Sequence, residues 1–126
     1  MTRYVDTNVL VRLMTNDVPE LAHQAIEQID EYGYGELVIL DAVLAELFFV
    51  LEFNPLYGFS RRDTVLIFEG LLSISQFQVS ELALSAFELF SDHEKLDFAD
   101  CLLAVAGGLQ KSAVMTFDKD LLKVLS

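Results

Sequence analysis

The sequence predicts an α/β fold, a three-layer α/β/α sandwich around a central parallel sheet, in one domain covering residues 1–126. Three observations predict it. Short β-capable apolar runs recur at residues 2–5, 37–40, 77–79 and 113–116, and stretches with helical spacing separate each from the next. Strands joined through helices are crossover units, which makes the sheet parallel. The run Leu37-Val38-Ile39-Leu40 is apolar on both sides, as befits a strand covered on both faces.

Taken in order, the first strand runs straight into Asp6, and residues 9–14 follow as a short helical turn. Asn16 or Asp17 caps the next helix, which has Pro19 in its first turn and Leu21, Ala22, Ala25, Ile26 and Ile29 at helical spacing. Tyr32-Gly33-Tyr34-Gly35 stops it. After the second strand, Asp41 caps a helix over residues 42–53 that is apolar almost all round apart from Glu46 and Glu52, and Asn54-Pro55 and Gly58 break it. Ser60, with Asp63 three residues on, opens a helix to about Leu72, Asp being a shorter substitute for the Glu or Gln of a capping box. The third strand leads to Ser80, the cap of a helix ending near Asp92. A polar connection over 93–96 gives way to Asp97-Phe98-Ala99-Asp100, which opens a Leu- and Ala-rich helix ending at Gly107-Gly108. After the strand at 113–116, Asp118 precedes a terminal helix over 119–125. There is no internal repeat, linker or low-complexity segment.

Composition narrows the class. A chain of 126 residues that is 53% hydrophobic can fill one core. It has neither the pattern of a signal peptide nor an uncharged apolar run long enough for a bilayer, so a soluble, cytoplasmic protein with no membrane partner is expected. The single cysteine, Cys101, lies in an apolar run and reads as a reduced, buried thiol. The 20 acids against 8 bases give a formal charge of −12, which repels a polyanion if spread evenly. Charge alone therefore argues against nucleic acid, unless several acids converge where bound cations set the sign of the local field.

The acids are placed as such convergence requires. Asp6 leaves the end of a strand, at the rim where parallel sheets put ligands. Asp118 leaves the last strand, Asp97 and Asp100 share one side of a helix's first turn, and Glu46 lies within an apolar helix where an unpaired charge is costly. Each has a plainer reading: Asp6 and Asp118 as helix caps, Asp97 and Asp100 as acids favoured by the helix dipole. Oxygen ligands without a matching His or Cys favour a hard cation, Mg2+ or Mn2+. His23 and His93 lie in polar segments and receive no role.

Val5-Asp6-Thr7-Asn8-Val9-Leu10, Glu46 in its apolar helix, Leu96-Asp97-Phe98-Ala99-Asp100-Cys101-Leu102-Leu103-Ala104 and Thr116-Phe117-Asp118-Lys119-Asp120-Leu121 resemble, in order and spacing from residue 1 to about 123, the motifs of a PIN-domain ribonuclease of the VapC toxin type. The resemblance implies a PIN-like fold and an Mg2+- or Mn2+-dependent endoribonuclease that hydrolyses RNA and pairs with a small antitoxin protein. By position, Asp6, Glu46, Asp100 and Asp118 match the acidic metal ligands, and Thr7, Asn8 and Thr116 the small polar residues that steady them. Asp97 and Asp120 match further acids around them. Metal ions so held would activate a water for in-line attack on the phosphodiester. Arg12, close in sequence to Asp6, and the basic pair Arg61 and Arg62 are the candidates for phosphate contacts, against the plainer reading of solvated surface.

Two other classes share parts of this pattern. A phosphatase of the haloacid dehalogenase class also begins with a strand ending in Asp, but it needs a second Asp two residues on, where this chain has Asn8. A PIN-like module without catalysis would bind metal structurally or not at all. Finally, the helices at 42–53 and 61–72 carry more apolar residues than one buried stripe needs, with Phe49, Phe53 and Phe68 among the surplus. That predicts an exposed apolar groove for a partner, which the resemblance makes an antitoxin segment, with a second copy of the chain, a homodimer, on another face.

Overall fold

The computed structural model describes all 126 residues. Their contacts gather into two compact units, Met1–Val79 and Ser80–Ser126. The first unit holds β1 (Arg3–Tyr4), α1 (Thr7–Thr15), α2 (Pro19–Asp30), β2 (Leu37–Val38), α3 (Asp41–Phe53), α4 (Arg61–Leu72) and β3 (Phe77–Gln78). The second holds α5 (Glu81–Asp92), α6 (Phe98–Ala106), a 3-10 turn at Lys111–Ala113 and α7 (Lys119–Val124).

In the first unit the three strands pair in parallel in the order β1-β2-β3, with Arg3 beside Leu37 and Leu37 beside Phe77. Single hydrogen bonds extend the ladder past the paired residues: the Val5 N–H donates to the Val38 carbonyl at 3.0 Å and the Ile39 N–H to that of Gln78 at 2.9 Å. A pair of helices makes each crossover, and α1 packs on α2 and α3, α3 on α4, and α4 on β3. Helix α3 buries Leu44, Leu47, Phe48 and Leu51, a single stripe at helical spacing, while α4 buries Thr64, Phe68 and Leu71. Phe48 meets Phe68 edge to face, with centroids 5.1 Å apart, a geometry that adds to the burial of both rings.

The apolar surplus divides between core and surface. Phe68, expected in a groove, is fully buried, whereas Phe49 and Phe53 are exposed on the outer side of α3 with their rings 4.9 Å apart. Leu56 and Leu66 are exposed as well. The N-terminal caps differ in part from expectation. Val18, not Asn16 or Asp17, precedes α2, and Asn16 instead closes α1 in the left-handed region at φ 52°. Leu40 precedes α3, so Asp41 is its first residue. Ser60 and Ser80 cap as expected, their hydroxyls accepting from Asp63 and Ala83 N–H groups at 3.1 and 3.0 Å.

In the second unit α5 packs on α6 and α6 on α7. Phe90 meets Phe98 edge to face at 5.5 Å, and Cys101 is buried as expected. The strand expected at residues 113–116 is absent. Val114 is extended, at φ −128° and ψ 117°, but the segment follows a 3-10 turn and pairs with no neighbour. β-propensity says that a run can extend, not that a partner edge will meet it. The backbone is held locally instead, the Lys111 N–H donating to the Ser126 carbonyl (2.9 Å) and the Ser126 N–H to that of Leu109 (2.8 Å). Val114 packs against Gly107, where an added Cβ would stand 2.5 Å from its Cγ2, so only glycine fits without a shift.

Candidate functional site

Asp6 lies just past β1, extended at φ −82° and ψ 149°, in the N-cap position of α1. Its carboxylate makes no capping bond and is exposed. The cap reading therefore holds for the backbone and fails for the side chain. Thr7 is buried in the first turn of α1 and Asn8 is exposed. Glu46 corrects an expectation: the buried stripe of α3 passes through Leu44, Leu47, Phe48 and Leu51, and Glu46 is exposed beside it. Its charge stands in water, with no burial penalty to explain. Thr7, Asn8 and Glu46 line one cleft of the first unit.

The second unit gathers the other acids. Asp97 is the N-cap of α6 and forms a reciprocal box with Asp100: the Asp100 N–H donates to Asp97 Oδ1 at 2.8 Å, and the Asp97 N–H to Asp100 Oδ2 at 3.2 Å. Asp118 caps α7, its Oδ1 accepting from the N–H groups of Asp120 (2.8 Å) and Leu121 (3.0 Å), and the Thr116 hydroxyl accepts from the Asp118 N–H at 3.0 Å. The plainer reading of Asp118 as a cap is thus correct, while Asp97, expected within the first turn, is the cap of its helix. In both caps it is Oδ1 that accepts. Asp120 stands 3.8 Å from Lys123.

Asp100 is the group these neighbours disturb. Burial first, then the charge of Asp97, with that of Asp118 adding to them, push its carboxyl above the ordinary range against the opposing Asp97 N–H bond. No cation is among the groups acting on it. Three acids sharing one neighbourhood, all with oxygen donors, suit a hard divalent ion chemically. As the side chains stand, however, no three His, Cys, Asp or Glu residues are grouped closely enough to hold one ion.

The basic candidates separate. Arg61 is buried and donates from Nε and Nη2 to Glu52 at 2.7 and 3.0 Å, a fork that ties α4 to α3 and removes it from the phosphate contacts expected of it. Arg12 donates from Nη1 to Asp17 Oδ2 at 2.7 Å and keeps other N–H groups. Arg62 is exposed. His23 pairs with Glu27 on the surface of α2, and His93 ends α5. Sequence reasoning missed Asp17 and Tyr57, whose hydroxyl donates to the oxygen that Arg12 uses, at 2.7 Å. Forty residues separate the two, and only the turn after α3 brings them together.

The chain thus presents a parallel sheet crossed over by helices, with an exposed acid at the exit of its first strand and acids heading later helices. The PIN domain family matches residues 3–125, and the chain belongs to that family, whose fold is the three-layer α/β/α sandwich. PIN domains are generally nucleases and typically bind divalent metal. No curated protein and no solved structure matches the chain. No helix is long and apolar enough to cross a membrane.

Proposed function

We propose that the chain is an Mg2+- or Mn2+-dependent endoribonuclease and the toxin of a type II toxin–antitoxin pair of the VapC kind, working in the cytoplasm. The observation that carries this reading is the PIN-family match over residues 3–125, beside which the burial of Asp100 and the charges of Asp97 and Asp118 raise its carboxyl above the ordinary range. Asp6, Glu46, Asp100 and Asp118 would hold the metal. A divalent ion, when bound by them, would supply a water of lowered pKa and positive charge against the phosphodiester.

The residues around those acids have work of their own. Asp97 fixes Asp100 through the box, and Thr116 fixes Asp118 by accepting its N–H, so both carboxylates are oriented before any ligand arrives. Thr7 and Asn8 follow Asp6 directly in the first turn of α1, and Asp120 donates its N–H to Asp118. Arg62 is left as a phosphate contact at the head of α4. The exposed apolar side of α3, Phe49 and Phe53 with Leu56 beyond, fits an amphipathic helix of the antitoxin, and a second copy of the chain makes the homodimer.

Cleavage of RNA by wild type and by Asp6→Asn, each with Mg2+, with Mn2+ and with chelator, tests the proposal. Wild type should cut only with the cation, and Asp6→Asn should lose at least about 100-fold, the usual scale when a group that sets the reaction's electrostatics is removed. Cutting that persists in chelator or in Asp6→Asn would overturn it, and the absence of cutting in every condition would make the chain a module without catalysis.

A further inference from the structure

The cleft of the first unit, about 340 Å3, is walled by Asn8 and Arg12 of α1, Glu46 and Val50 of α3, and Asn54 and Tyr57 of the turn that follows. Ligand sites run from roughly 300 to 1,000 Å3, so this one suits a small group. Local structure sets its walls. The Asn54 side chain accepts from the Leu56 N–H at 2.9 Å, the Asn54 carbonyl accepts from Tyr57 and Gly58 at 2.9 and 3.0 Å, and Gly58 takes φ 57°, which glycine adopts without strain. The turn so closed pins Tyr57. Its hydroxyl and Arg12 Nη1 both donate to Asp17 Oδ2 at 2.7 Å, and the Thr15 hydroxyl donates to Oδ1 at 3.0 Å. The Tyr57 bond is the largest of the effects that hold the Asp17 carboxyl below its ordinary range. These bonds are exposed, and exposed pairs contribute little to stability. What the network does achieve is to hold an aromatic ring and a guanidinium side by side in a cleft that also carries Glu46.

We propose that this cleft is a nucleotide subsite for single-stranded RNA, a reading that rests on the nuclease assignment above. One unpaired base lies against Tyr57 and the exposed Leu56, and its phosphate takes the Arg12 N–H groups that Asp17 does not use. Unpaired bases are recognised by stacking on aromatic side chains next to Arg, whereas a base still paired in a helix stays in its stack and cannot enter. The amides of Asn8 and Asn54 supply donors and acceptors for a base edge, so the four bases should not bind alike. Asp17 is a positioning residue, acting through Arg12 and Tyr57.

The test is a titration of 15N-labelled protein with AMP, CMP, GMP and UMP in turn, without divalent cation, followed by NMR. Expected are amide shifts centred on Asn8, Arg12, Asn54 and Tyr57, with unequal affinities for the four. Tyr57→Ala should bind at least about tenfold more weakly, the scale of one lost base–aromatic stack, and Tyr57→Phe, which keeps the ring but loses the bond to Asp17, should fall between that variant and wild type. Shifts that map elsewhere, or a folded Tyr57→Ala that binds as wild type does, overturn the subsite. Should Tyr57→Ala not fold, the wild-type shift map decides alone. The titration needs neither metal nor turnover, so it can succeed where cleavage fails. Cleavage that depends on Asp6 while no mononucleotide reaches the cleft would end the subsite and leave the nuclease standing.

Discussion

Asp100 binds its proton more tightly in the folded chain than in the unfolded one, because burial and the charges of Asp97 and Asp118 raise its pKa. The stability that follows is present below the ordinary carboxylate range and is lost as pH rises through the raised value. At neutral pH the ionised group is therefore a liability. Asp100→Asn should melt no lower than wild type without metal at pH 7, and that advantage should vanish toward about pH 4, the ordinary range for Asp. In millimolar Mg2+ or Mn2+ the variant should lose most of the thermal stabilisation that wild type gains, since an ion that binds only the native state raises its stability. A full metal-induced shift in Asp100→Asn would remove Asp100 from the ligand set. Asp17 has the opposite sign: its lowered pKa, owed to Tyr57 first and then to Thr15 and Arg12 against the cost of desolvation, gives stability present at neutral pH and lost as pH falls through the lowered value. Melting of Asp17→Asn should accordingly depend less on pH in the acid range than that of wild type, and equal slopes would dissociate the network from stability. The acids themselves were legible in the sequence, since residue type and position at a strand exit or helix head are local. How each is used was not: nothing local tells that Asp97 and Asp118 cap while Asp6 does not.

At the level of elements, α3 shows both what periodicity reveals and where it stops. Its apolar residues go almost all round the sequence pattern, yet the structure buries one stripe and leaves Phe49 and Phe53 outside. Periodicity finds the helix, and only the neighbours choose the face. Phe68→Ala should cost about 3–5 kcal/mol in denaturant unfolding, as truncating a fully buried ring does. Phe49→Asp should stay folded within about 0.5 kcal/mol of wild type, the usual range for a surface change, and unfolding in Phe49→Asp would mean that α3 has a second buried side. Glu52→Ala should cost about 1.5–3 kcal/mol, because it takes from the buried Arg61 guanidinium the carboxylate that accepts two of its hydrogen bonds. That pair was hidden from sequence reasoning by the break between α3 and α4, which had to close before residues 52 and 61 could meet. The strand at 113–116 was misread for a similar reason: a ladder is a property of two segments, and one alone cannot specify it.

For the molecule as a whole, the excess of acids has a consequence in kinetics. Arg12 and Arg61 already face Asp17 and Glu52, Lys123 stands near Asp120, and Arg3 lies over the Tyr32 ring at 5.8 Å. Four exposed bases, Arg62, Lys95, Lys111 and Lys119, are left to draw a polyanion in against a net charge of −12. Basic nucleic-acid binders lose affinity steeply as salt rises, because each phosphate contact releases a counterion. Here the long-range field repels, and the Debye length shortens from about 30 Å at 0.01 M salt to about 8 Å at 0.15 M. Encounter with an RNA strand should accordingly speed up over that range at fixed divalent cation, the reverse of the usual trend, with stopped-flow association rates as the measure. A rate that falls steeply with salt would point to a cationic path on the surface that the pairing of these side chains does not reveal.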